Sequence, residues 1–130
     1  MRPPEKRWYA SLLKHPRGTA ELIHTIFPSA QFVLEKQEKK TNKLIRHVRF
    51  DLRGQTIMRA RSEIDLLKTS PKVLKLLQEN KIPLGIILKK FNIRHTRVKC
   101  TSRTRSFHFI GELHGKIWER FYYLPKEDSK

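Results

Sequence analysis

Two runs of alternating apolar and polar residues, Leu44 to Leu52 and Gln55 to Ile64, meet across the dipeptide Arg53-Gly54. A period of two marks a strand with one buried face, and the glycine supplies the positive φ that a tight hairpin turn demands. A lone hairpin is marginal in water, so this one needs further strands or a helical cover over its apolar side. The rest of the chain supplies both. Thr104 to Leu113 and Lys116 to Leu124 flank His114-Gly115 in the same way, and Arg97 to Thr101 reads as a shorter strand. Gln31 to Glu35 begins extended, while Lys36 to Lys43 is polar enough to be expected as a loop.

Helical spacing fills the remainder. Trp8, Tyr9, Leu12 and Leu13 recur on one face of Pro4 to Lys14, which the segment His15-Pro16-Arg17-Gly18 ends. Thr19 is positioned to cap a helix running to Phe27, with Leu22, Ile23 and Ile26 turned inward. Ser70 and Pro71 have the residue types of N-cap and first helical position, ahead of an apolar stripe of Val73, Leu74, Leu76 and Leu77. Pro83 opens a further helix containing Leu84, Ile86, Ile87, Leu88 and Phe91. Helices grouped between hairpin-linked strands predict an α+β fold, an antiparallel β-sheet covered by helices. At 130 residues and 38% apolar content, the expectation is a single domain over residues 1–130.

Twenty-nine Lys and Arg against 12 Asp and Glu give a formal charge of +17, so the surface must attract anions. Nucleic acid, a membrane surface and a small anionic metabolite all fit that sign. Cys100 is the one cysteine, which excludes an internal disulfide and a cysteine-based zinc site, fits a reducing compartment and is read as a packed thiol. Residues 1–14 are charged and lack the apolar run of a secretory signal, and no stretch has the length of a membrane span. A soluble, cytoplasmic monomer is expected. The six histidines show no metal-ligand spacing, and neither a glycine-rich phosphate loop nor a nucleophile elbow is present, so no metal and no cofactor are assigned.

Two residues break the pattern of their strands. Arg46 is the single charge in the row Leu44, Arg46, Val48, Phe50 and Leu52. With Arg53-Gly54 as the two loop residues, counting back from Leu52 opposite Gln55 sets Arg46 opposite Arg61. Like charges in that relation repel, and burying two guanidinium groups costs several kcal/mol unless an anion neutralises them. A carboxylate between them would do so, since the guanidinium fork grips it bidentately. A bulge beginning at Asp51 would instead send the two arginines to opposite faces, and a solvated basic face is the plainer alternative. Glu119 is the second anomaly, one acid in the stripe Ile117, Glu119, Phe121 and Tyr123. Desolvation there favours its protonated form, suited to proton donation, unless an arginine pairs with it as a structural partner.

These residues, taken in order, resemble the chorismate pyruvate-lyase family from about Trp8 to Pro125. Leu12-Leu13 with Pro16-Arg17-Gly18-Thr19 is similar to the family's leading segment, and Leu44-Ile45-Arg46, Gly54 and Arg61 match its strand-turn-strand without a gap. Pro83-Leu84-Gly85, Thr96-Arg97, Arg105-Ser106 and Glu119 with Leu124-Pro125 continue the likeness. The resemblance implies a chorismate-lyase-like fold and a cofactor-free elimination of pyruvate from chorismate, leaving 4-hydroxybenzoate. It further implies that Arg46 and Arg61 bind substrate carboxylates, that Glu119 meets the ring oxygen with Arg46 and Glu119 acting catalytically, and that Leu84 and Gly18 present backbone groups to the ligand.

Two other readings stand beside it. A non-catalytic sensor domain of the same fold would bind a small carboxylate without turning it over. A nucleic-acid-binding module would account for the charge, and the basic and aromatic alternation in Arg103 to Phe109 and Arg120 to Tyr123 is of the kind that single-strand binders use.

Overall fold

The computed structural model describes Trp8, Tyr9 and residues 19–79, 84–91 and 93–123. In chain order the elements are α1 (Thr19–Ile26), β1 (Gln31–Lys40), β2 (Lys43–Leu52), β3 (Gln55–Asp65), α2 (Pro71–Glu79), α3 (Leu84–Lys90), β4 (Arg94–Cys100), β5 (Thr104–Ile110) and β6 (Gly115–Phe121). The strands make one six-stranded sheet in the order β1-β2-β3-β6-β5-β4, each neighbour antiparallel. Two three-stranded meanders thus join through their last strands, β3 and β6. The expected α+β class, an antiparallel sheet with helices, is what the chain adopts.

The β2–β3 hairpin forms where the alternation predicts it. Arg53 and Gly54 both take positive φ, 50° and 78°, the handedness that lets the right-twisted strands continue without splaying. On one face of the sheet Leu44, Val48 and Phe50 of β2 join Met58, Ala60 and Ile64 of β3 in a core that Ile23 of α1, Val73 and Leu77 of α2 and Ile87 of α3 complete. Each such fully buried large aliphatic or aromatic side chain contributes roughly 1.5–3 kcal/mol. Ser70 caps α2 as expected, its Oγ accepting from the Val73 amide at 3.4 Å.

Several local expectations are corrected. Lys36 to Lys40 is strand, with the turn deferred to Thr41 and Asn42. A strand at a sheet edge needs little apolar content, because only one side of it is paired, and its lysines discourage pairing with another chain. Gln37 faces the helices and donates from Nε2 to the Leu77 carbonyl at 3.2 Å. Ile26 is exposed, whereas Ala20 joins Ile23 inside, and the Thr19 hydroxyl engages side chains of the site described below. Cys100 is exposed, at the end of edge strand β4. Of the first helix expected, Pro4 to Lys14, only Trp8 and Tyr9 lie within the described residues. Both are buried against Phe121, Tyr9 stacked on it at 5.4 Å and Trp8 edge-on at 5.8 Å. The polar tail from Lys126 lies outside the described residues, and among those described no helix is long and apolar enough to cross a membrane.

Candidate functional site

The geometry separates the two arginines that the residue count sets opposite each other. Leu52 does pair with Gln55, but the register slips between Phe50 and Asp51, so that Asp51 meets Thr56 and Phe50 meets Met58. Ile57 is the extra residue. Arg46 therefore pairs with Ser62, and Arg61 with His47. Arg46 points into the helix-covered side, 1% exposed. Arg61 points out of the other side, its side chain 44% exposed, ion-paired through Nη1 to Glu63 Oε2 at 2.7 Å and lying over the Trp118 ring at 5.3 Å. The expectation that the two share a pocket is overturned by this bulge. With it the geometric basis for Arg61 as a carboxylate ligand beside Arg46 is lost.

Burial is the dominant influence on Arg46. Removing the guanidinium from water penalises its charged form and lowers its pKa to about 10. Its Nε is fully buried and donates to no acceptor, while the side chain as a whole does interact with its surroundings.

Glu119 lies on the same face of the sheet as Arg46, 5% exposed. An arginine does pair with it. Arg105, directly opposite on β5 and 2% exposed, donates from Nε to Glu119 Oε1 at 2.6 Å. The Thr19 hydroxyl, at the start of α1, donates to Glu119 Oε2 and accepts from Arg105 Nη2 at 2.5 Å. A helix terminus, two adjacent strands and three polar side chains thus close one buried network. Arg105 also lies over the Phe107 ring at 4.7 Å, a favourable setting for a desolvated cation.

Between Arg46 and Glu119 runs β3, whose inward residues there are Ser62, opposite Arg46, and Ala60, opposite Glu119. Two strand spacings, about 10 Å, separate the strands that carry the charged residues. The inward side chains on that intervening strand, Ser62 and Ala60, are small and buried. The sheet therefore gathers Arg46, Glu119, Arg105 and Thr19 on one side. Of these, sequence reasoning missed Arg105 and the role of Thr19. The signal for Arg105 was available: it shares a face with Phe107 and Phe109, as Arg46 does with Val48 and Phe50. Gly18 lies outside the described residues, and Leu84 is the first residue of α3.

Among the described residues no group of three or more His, Cys, Asp or Glu side chains is placed to hold a metal ion. The chain matches no protein-family model and no curated protein.

Proposed function

We propose that the chain binds a small, ring-bearing carboxylate on the helix-covered face of its sheet, and that its reaction is the elimination of pyruvate from chorismate. The observation that carries this reading is the desolvated guanidinium of Arg46 on the same face as the Glu119–Arg105–Thr19 network. A buried cation costs several kcal/mol, and a ligand carboxylate gripped by its fork offsets that penalty while gaining charge-assisted hydrogen bonds. The order of residues resembling the chorismate pyruvate-lyases supports the same conclusion, and the helix-covered antiparallel sheet is taken here as a chorismate-lyase-like fold.

The reaction makes modest demands on a protein. The bond from the ring to the enolpyruvyl oxygen breaks, the proton on the neighbouring hydroxyl-bearing carbon leaves, and the ring becomes aromatic. The departing enolpyruvate takes up a proton and becomes pyruvate. Because aromatisation supplies the driving force, orientation, exclusion of water and one assisted proton transfer suffice. In this reading Arg46 anchors a carboxylate. Glu119, with the Thr19 hydroxyl hydrogen-bonded to it, faces the leaving oxygen, and Arg105 holds that carboxylate in place.

Incubation of the purified chain with chorismate tests the proposal, with 4-hydroxybenzoate and pyruvate followed together. Turnover above the spontaneous rate, lost in Arg46→Ala and reduced about 10²- to 10⁴-fold in Glu119→Gln, is expected. No turnover would end the lyase reading, and tight, saturable binding of 4-hydroxybenzoate in its place would assign the site to a sensor.

A further inference from the structure

The opposite face of the sheet has no helix over it among the described residues, and its side chains form a pattern that the covered site does not use. Cross-strand pairing sets Arg49 opposite Arg59 and Arg59 opposite Arg120, so three arginines stand side by side across β2, β3 and β6. Like charges in that relation destabilise a sheet. Carboxylates offset part of the repulsion: Glu35 Oε2 lies 2.9 Å from Arg49 and 3.1 Å from Arg59, and Asp51 Oδ2 lies 2.9 Å from Arg49 Nε, so Arg49 is held on two sides. Arg120 lies at the aromatic end of the row, over the Tyr122 ring at 5.9 Å.

Trp118 occupies the next row of the same face. At 39% exposed it is the large aromatic of the central strands that meets solvent, and Arg61 and Lys116 approach its ring at 5.3 and 5.4 Å. A trough of about 510 Å³ runs over these groups, lined by Arg59, Arg61, Lys99, Trp118, Arg120 and Tyr122 among others. A partly exposed indole, set in a basic trough on sheet strands, is suited to stacking a flat base while the neighbouring cations follow a phosphate backbone.

We infer that this open face binds a single-stranded polynucleotide, with Trp118 as the platform for a base and Arg59, Arg120 and Lys99 against the phosphates. A duplex keeps its base faces stacked on one another and cannot offer one to Trp118. A membrane surface would meet too few apolar side chains to insert. The inference concerns the other side of the sheet from Arg46 and Glu119 and does not rest on the lyase reading.

Fluorescence anisotropy of a labelled dodecameric oligouridylate, titrated with the full chain across a range of salt concentrations, tests it. For about three phosphate contacts the logarithm of affinity should fall against that of salt with a slope near about −2. Arg59→Gln combined with Arg120→Gln should bring that slope to about −0.7. Trp118→Ala should weaken binding by roughly 5- to 150-fold at an unchanged slope, and Trp118→Phe should recover most of the loss. Binding should also quench the fluorescence of Trp118 and leave that of buried Trp8. All substituted side chains are on the solvent side of the sheet, and thermal melts of each variant should match the parent. The inference is overturned by Trp118→Ala binding the oligonucleotide like the parent, by inorganic polyphosphate binding as tightly as the oligonucleotide, or by self-association of the chain that hides Trp118.

Discussion

Arg46 holds its charge where water cannot reach it, and that has a stability consequence separable from any chemistry. Its pKa in the folded chain, about 10, lies well below that of an exposed guanidinium. The unfolded chain therefore holds the proton more tightly, and stability rises with pH in the window that opens at about 10. Below that window the penalty is present in full. Arg46→Met should keep the fold and unfold at about the same urea concentration at neutral pH, while losing ligand binding. A large loss of stability would mean that Arg46 is structural. Substitution at Glu119 or Arg105 is a different case, because each neutralises the other. Arg105→Ala leaves a buried carboxylate with only Thr19 beside it and should cost about 3–5 kcal/mol in urea denaturation. Replacing both residues with apolar ones of similar size should restore much of that loss.

How much of this was legible in the sequence is best judged on the β2–β3 hairpin. The strands and their turn follow from alternation and Gly54, and both are present. The pairing of Arg46 with Arg61 does not follow, because a residue count across a turn carries no information about a bulge. Composition within β3 does carry it: Ile57 and Met58 are adjacent apolar residues, both buried, and from Met58 onward the inward positions are Met58, Ala60, Ser62 and Ile64. Arg61 is out of phase with that row. Glu119 was legible as an anomaly in its stripe that an arginine could pair with, but Arg105 was not identified as that arginine, because which strand pairs with β6 depends on long-range topology. The start of β6 offers a test of how tightly the meanders join. A Cβ on Gly115 would stand 2.2 Å from the Glu63 carbonyl oxygen and 3.0 Å from the Ile64 Cα. Backbone, not a flexible side chain, would have to yield, so Gly115→Ala should destabilise by about 1–3 kcal/mol in denaturant melts. An unchanged midpoint would show that the β3–β6 junction is looser than its pairing implies.

The formal charge of +17 is distributed over a sheet whose two faces use it differently. On the covered side Arg46 and Arg105 are withdrawn from solvent, Arg105 within its network with Glu119 and Thr19. On the open side, arginines and lysines surround Trp118 and generate the field that an approaching anion meets. For a dianionic substrate such as chorismate, that field should raise the rate of encounter. kcat/KM should then fall with ionic strength while kcat changes little, a dependence read from initial rates over a range of salt. The two proposed sites, on opposite faces, are distinguishable by position. A crystal structure of the chain with 4-hydroxybenzoate is the most direct test of the covered site. The carboxylate is predicted within hydrogen-bonding distance of the Arg46 guanidinium, on the helix side of β3 and above Ala60 and Ser62. Density for the ligand only beside Arg61 and Trp118, or Arg46 unchanged with no ligand near it, would contradict the assignment.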